Sequence, residues 1–343
     1  MSKLAAQEKI WRWLAVMGVA LAVCVAAALI TRPFIARADE TPRKKVLIGF
    51  IGKSQSNAVF QAAAAGARDA AAAAPADYNV DVDLSILTPP QEDPQRQAEA
   101  IDNLVRNGAA GIAISCSNAS AVVPAINRAM ASGVWVMCFD SDAPHSKRMA
   151  FYGTDDVDLG HRIMGALADS MDHKGTIAIL AGNAAAPNLQ ARVRGAREKL
   201  KEYPDMHELN DGHGVFNCAE TPADAVQAVK TAENANPQIQ GWAFIGGWPL
   251  FAKGAISGKP GQRKIVSCDA LPAQLDYVRN GYVVCLFGQD CYGWGSKSVD
   301  TLLNKIVKNQ DPPQVRMIDP LTKVTQENVD AYAKNWDKWL KGS

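Results

Sequence analysis

Val46-Leu47-Ile48-Gly49-Phe50-Ile51, then Gly52-Lys53-Ser54-Gln55-Ser56-Asn57, then an alanine-rich run from Ala58 to Ala74: this stretch sets the reading of the fold. An unbroken apolar run of six is too short for a buried helix and suits a strand covered on both faces. The polar segment is a loop, and alanine, the best helix former, makes the following run a helix slim enough to lie close on a sheet. The same alternation repeats. Strands are expected at Val80 to Leu87, Gly111 to Cys116 and Val134 to Phe139, and helices at Pro94 to Arg106 and Ala119 to Ala131. Asn107-Gly108 and Ser132-Gly133 are helix stop signals. Strand and helix alternating through short loops predict a parallel sheet with helices on both faces.

A second series follows Phe151-Tyr152-Gly153-Thr154. Its strands are expected at Thr176 to Leu180, Gly214 to Asn217, Trp242 to Ile245, Lys264 to Cys268 and Val283 to Phe287. Its helices are expected at Leu159 to Met171, Pro187 to Tyr203, Pro222 to Ala232 and Leu271 to Asn280. Asp290 to Asn309 reads as a further helix, and Thr325 to Leu340 as a closing amphipathic one. The chain is therefore α/β, with two doubly wound parallel-sheet lobes. No Ser/Gly-rich linker parts them, so more than one crossover between them is expected.

Upstream of the quoted stretch, residues 1–38 hold five bases against Glu8 alone. Trp13 to Ile30 is an uncharged apolar run of 18, and Ala36-Arg37-Ala38 fits the small-x-small rule for signal peptidase. Residues 1–38 are read as a signal peptide cleaved after Ala38, with a retained anchor as the rival, since 18 residues just suffice to span a bilayer. Val23 before Cys24 does not suit a lipobox. Overall, Lys+Arg 36 against Asp+Glu 35 gives +1; without the leader the body carries about −3. That leaves no basic field for nucleic acid. Six cysteines remain beyond the leader: Cys116, Cys138, Cys218, Cys268, Cys285 and Cys291. An even number in an oxidising compartment permits disulfides, and burial as small hydrophobes competes, because four of them lie in or beside strands. No CxxC occurs, and the five histidines show no metal-ligand spacing; neither a metal nor a cofactor is expected.

Ligands of open α/β sheets collect at the carboxyl ends of the strands. Those ends read Gly52 to Asn57, Ser115-Cys116-Ser117-Asn118, Phe139-Asp140-Ser141-Asp142, Ala181-Gly182-Asn183, Gly246-Gly247-Trp248, Cys268-Asp269-Ala270 and Gly288-Gln289-Asp290. Catalytic patterns fail there. Gly52-Lys53-Ser54 resembles a P-loop end, but Leu47 stands where its first glycine belongs. No GxSxG or GxGxxG occurs, and strand-end aspartates such as Asp140, Asp155, Asp156 and Asp269 serve more often as hydroxyl acceptors or caps than as a glycosidase pair. A sugar fits better: it needs planar polar groups for its hydroxyls and aromatic rings for its C–H faces. Asn57, Asp140, Arg192, Asp269 and Gln289 could supply the first, Phe60 and Trp248 the second. Arg192 could equally be solvated, and Trp248 could simply cap the core.

Asn188-Leu189-Gln190-Ala191-Arg192-Val193-Arg194-Gly195 is similar to the helix start of periplasmic sugar-binding proteins of the ribose-binding, type I class, the receptors of ABC importers. Phe139-Asp140, Ser267-Cys268-Asp269 and Phe287-Gly288-Gln289 resemble that family's two ligand aspartates and hinge glutamine, and Asn57 and Phe60 its positions after strand one. The resemblance spans residues 44 to 325. It implies a three-crossover hinge near Thr154, Gln289 and Leu321. The amino-terminal lobe would then be 42–153 with 290–321, and the carboxy-terminal lobe 154–289 with 322–343. Taken with the strand-end reading, the expected ligand contacts are Asn57, Phe60, Ser115, Asp140, Asn188, Arg192, Trp248, Asp269 and Gln289. The expected function is a monomeric, non-enzymatic periplasmic receptor that delivers a small neutral carbohydrate to a membrane permease. A sugar sensor feeding a sensor kinase or chemoreceptor is the alternative; a transcriptional regulator of this fold lacks its helix-turn-helix here. Departures bear on which sugar binds: Gly247-Trp248-Pro249 replaces the usual Asn-Asp pair, Ser141 a base, and Val59 an aromatic.

Overall fold

The computed structural model describes residues 42–339 and Trp13. Apart from Trp13 the expected leader, with its cleavage point at Ala38, lies outside the described residues. The first series gives β1 (Lys44–Ile51), α1 (Ala58–Asp77), β2 (Val80–Ile86), α2 (Pro94–Arg106), β3 (Gly111–Ile114), α3 (Ala119–Ala131), β4 (Trp135–Phe139) and β5 (Ala150–Gly153). The second gives α4 (Asp156–Ser170), β6 (Lys174–Ala181), α5 (Pro187–Leu200), β7 (Asp205–Glu208), β8 (Val215–Asn217), α6 (Pro222–Ala235), β9 (Gly241–Phe244), β10 (Lys264–Cys268), α7 (Pro272–Arg279) and β11 (Cys285–Gly288). Then come α8 (Cys291–Lys308), β12 (Arg316–Ile318), β13 (Thr322–Val324) and α9 (Val329–Trp339).

Two sheets result. The first, in the order β12-β5-β4-β3-β1-β2, is parallel throughout; the second runs β13-β11-β10-β9-β6-β7, with β8 beside the far end of β6. Only β13 runs antiparallel, against β11. The chain passes between the sheets after β5, after β11 and again between β12 and β13. The architecture is two parallel-sheet α/β lobes.

Differences from the expected elements lie where periodicity is too short to see. β5, β7, β12 and β13 have three or four residues each and owe their state to the strands they join. α1 continues through Pro75 to Asp77, and α4 begins three residues early because Asp155 caps it, accepting from the Val157 and Asp158 amides. Asn107 and Ser132 do cap α2 and α3, each followed by a left-handed glycine, Gly108 and Gly133.

The small residues also decide how the helices meet. A Cβ on Gly295 of α8 would lie 1.7 Å from the Ala63 carbonyl of α1, so the alanine-rich face of α1 is where α8 makes backbone contact. In the second lobe a Cβ on Gly160 of α4 would lie 2.1 Å from the Arg192 carbonyl of α5. That approach brings Asp156, at the start of α4, against the Arg192 side chain. All six described cysteines are free thiols; Cys116 and Cys138 face each other with Sγ atoms 3.8 Å apart. Among the described residues no helix is long and apolar enough to cross a membrane, and no cluster of His, Cys, Asp or Glu is placed to hold a metal.

Candidate functional site

The carboxyl ends of both sheets face one buried pocket. Its lining includes Lys53, Asn57 and Phe60 from the turn after β1 and the start of α1, and Asp140 from the end of β4. Asn188 and Arg192 come from α5, Gly246 and Trp248 from the turn after β9, Asp269 from the end of β10, and Gln289 from the crossover after β11. Glu220 and Trp294 line it as well. Eight of the nine residues expected from sequence thus share one space. The ninth, Ser115, stands behind it: its hydroxyl donates to Asp140 Oδ2 at 2.7 Å.

Each polar group is held by a partner. Arg192 is 3% exposed. Its Nε donates to Asp156 Oδ1 at 2.9 Å, Nη1 to the Ile245 carbonyl at 3.1 Å and Nη2 to Gln289 Oε1 at 2.8 Å. The solvated alternative for this residue is thereby excluded. Burial pulls the guanidinium pKa down, but Asp156 and the other carboxylates outweigh it and leave it raised. Asp156 is pushed up to about 7 by burial, with Arg192 opposing. Asp269 is likewise raised by burial against Arg192, and accepts from the Gly247 amide at 2.7 Å and Gln289 Nε2 at 2.5 Å.

Asp140 works across the cleft. Asn188 Nδ2 donates to its Oδ1 at 3.3 Å, while Lys53 Nζ lies 3.8 Å from Oδ2 and donates to Asn188 Oδ1 at 3.3 Å. Burial depresses the Lys53 ammonium, but Glu220, Asp140 and Glu92 more than compensate and hold it charged. Asp140 and Asp269 both turn off their strands with positive φ, 53° and 80°, which aims each carboxylate away from its sheet at some backbone cost. Asn57 caps α1 through the Val59 amide while also facing the pocket.

Two buried glutamines hold the supporting loops. Gln97 Nε2 donates to the Gly52 and Ser115 carbonyls, and its Oε1 accepts from the Ser117 amide, which ties the ends of β1 and β3 together. Gln274 does the same for the turn after β10, bonding the Cys268 carbonyl and the Leu271 amide. Trp248 is both lining and core. It is 3% exposed and packs so tightly on Gly246 and Gly182 that a Cβ on either would come within 2.6 Å of its ring. Trp248 thus caps the core and lines the pocket at once.

Sequence reasoning missed Lys53, Glu220, Trp294, Gln97 and Glu92. Lys53 sits in the same strand-end segment as Asn57, where its place after Gly52 suggests a phosphate loop rather than a sugar contact. Glu220 follows β8 and could have been found by the same strand-end rule. Trp294 lies on α8 and gives no such signal. The arrangement offers fixed hydrogen-bond donors and acceptors around an aromatic-sided space.

A model of the periplasmic binding protein domain matches residues 48–310. The chain is similar to the D-ribose/D-allose-binding protein of Pseudomonas aeruginosa, 25% identical over 235 residues that cover 65% of this chain and 70% of that protein. It is also similar to the D-apiose import binding protein of Paraburkholderia graminis, 24% identical over 237 residues, 68% and 70% of the two chains. Among solved structures, an ABC transporter solute binding protein from Burkholderia graminis in complex with D-arabinose superposes with a TM-score of 0.78 at 25% identity, covering 85% of this chain and 99% of that one.

Proposed function

This chain belongs to the periplasmic binding protein domain family, and from that premise we propose that it is an extracytoplasmic receptor that binds a monosaccharide or related polyol between its lobes and delivers it to an ABC transporter permease. The observation that carries this reading is the pocket itself. Strand-end Asp140 and Asp269, with Asn188, Arg192 and Gln289, converge from two sheets on a space sided by Phe60 and Trp248. Paired planar acceptors and donors suit vicinal hydroxyls, and the rings suit the C–H face of a sugar. Asn57 and Ser115 belong to the proposed set, Ser115 acting through Asp140, and Lys53 and Glu220 join it.

The pocket admits little more than a water molecule with its side chains as they stand, because Lys53, Asn188 and Asp140 reach one another. A neutral sugar would take over those hydrogen bonds, with its hydroxyls between Lys53 and Asp140 on one side and Asn188 and Arg192 on the other. Binding energy then accrues only when both lobes are engaged, which is how a ligand shifts an open–closed equilibrium. The proposed lobes are 42–153 with 290–321 and 154–289 with 322–343, hinged at the three crossovers. The receptor acts as an exported monomer after removal of residues 1–38, without a cofactor and without turning its ligand over.

Calorimetric titration with D-ribose, D-allose, D-arabinose, D-apiose and myo-inositol tests the reading. One saturable site is expected for at least one of them, lost in Arg192→Ala. No heat and no shift in melting temperature with any sugar or polyol overturns it.

A further inference from the structure

The charges around the cleft do not balance for a neutral ligand. Lys53 and Arg192 stand against Asp140, Asp156 and Asp269, and at the mouth of the cleft two more carboxyl groups meet. Glu92 follows β2 and Glu220 follows β8, so they come from strands of different sheets. Both line a second, wider cavity that adjoins the pocket. Asn183 holds them side by side: its Nδ2 donates to Glu92 Oε2 at 3.0 Å and its backbone N–H to Glu220 Oε1 at 3.4 Å. The remaining oxygen of Glu92, Oε1, is buried and has no hydrogen-bond partner. Two ionised carboxylates held on one asparagine repel each other, and a buried carboxylate oxygen without a donor is costly; one proton on the pair relieves both.

We propose that closing the cleft takes up one proton, held between Glu92 and Glu220 on opposite lobes. The proposal rests on the reading of the protein as a two-lobed receptor. Lys53, from the turn after β1, favours the ionised pair and is itself near Arg192; Asp140, from the end of β4, opposes ionisation. On the Glu220 side, Cys218 faces it as a thiol whose own pKa burial pushes up to about 12, and the Asp224 carboxylate accepts from the Thr221 hydroxyl. Burial, with Glu92 adding and Lys53 opposing, pushes Glu220 up to about 8. In an open cleft the same carboxyl group, in water, has a pKa of about 4.3. Between those two values the closed form holds a proton the open form lacks. Closure is therefore favoured and independent of pH below the lower value, weakens as pH rises through the window, and levels off above about 8.

The test uses the full chain, its Glu220→Gln variant and its Glu92→Gln variant. Without sugar, small-angle scattering of the wild type should give a smaller radius at pH 5.5 than at pH 8.5. In Glu220→Gln the amide donates to Glu92 at every pH, so the radius should stay at its acid value. Carbon-13 shifts of labelled glutamate side chains give a second reading: one carboxyl group titrating near pH 8, absent from Glu220→Gln. With any sugar of the panel that binds, the association constant should fall by up to about tenfold per pH unit within the window in the wild type and under twofold in Glu220→Gln. Radii that are equal at both pH values, with no glutamate titrating above pH 6, overturn the proposal. If the pH response appears and no sugar binds, the latch stands and the receptor reading falls. If a sugar binds with equal affinity at pH 5.5 and 8.5, the receptor reading stands and the latch falls.

Discussion

Asp140 and Asp269 sit at corresponding places, each the first residue beyond a central strand of its sheet and each with a left-handed backbone. Their partners differ. Asp140 is tied to its own lobe through the Ser115 hydroxyl, but its other oxygen accepts from Asn188 of the opposite lobe, with Arg192 Nη2 3.9 Å away. Asp269 is bound by the Gly247 amide beside it in the second sheet and by Gln289 in the crossover. One carboxylate bridges the cleft; the other fastens the crossover glutamine, which in turn accepts from Arg192 and the Thr154 hydroxyl. The same backbone device thus serves two tasks, and neighbours rather than residue type decide which.

That contrast can be broken by substitution. The largest effect is expected at the residue both aspartates share. Arg192→Ala leaves Asp156 buried without its partner and should cost about 3–5 kcal/mol of stability. Since Asp156 can protonate at about 7, the loss should be smaller at pH 5.5 than at pH 8.5, measured by denaturant unfolding. Asp269→Ala strands the Gly247 amide and the Gln289 side chain and should cost about 2–3 kcal/mol in stability, with ligand affinity following. Asp140→Ala should reverse that order: about 100-fold weaker sugar binding by calorimetry, with a smaller change in melting temperature. Equal stability losses in the two variants would show that the tasks are not divided.

A pH series sharpens the same point without mutation. Asp156, at about 7, and Glu220, at about 8, are both raised above their unfolded values near 4. Between about pH 4 and 8 the folded chain therefore holds protons that the unfolded chain has lost, so stability declines as pH rises through that range and levels off above it. The melting temperature at pH 8.5 should lie below that at pH 6, by about 2–4 °C for each kcal/mol lost. Smallest of all, Ser115→Ala removes one hydrogen bond to Asp140 and should weaken sugar binding about fivefold with the fold intact, since one such bond is worth about 1 kcal/mol.

Much of this is legible in the sequence. The apolar run at Val46–Ile51 did become β1, and the strand-end rule pointed to Asp140, Asp269 and Gln289, because burial on both faces of a parallel sheet leaves a clear mark in the sequence. Lys53 is visible at the same strand end, but its place after Gly52 suggests a phosphate loop rather than a partner for Asp140. Gln97 is not. It lies mid-helix in α2, and only the fold shows that its amide closes on the ends of β1 and β3. β12 and β13 were equally hidden, since three residues carry no period and each exists through its pairing with a strand far away in sequence.

The sequence by itself determined the alternation of strand and helix, the cationic apolar start and the kind of residue that ends each strand, because propensity and periodicity act over a few neighbours. Tertiary structure alone decided which of those ends meet. Lys53 and Asn188 are 135 residues apart, and Asp140 joins them only because two sheets face each other. Glu92 and Glu220 meet on Asn183 in the same way. Charges acquire partners, and so their protonation, from distances set by the docking of lobes, which no local pattern encodes.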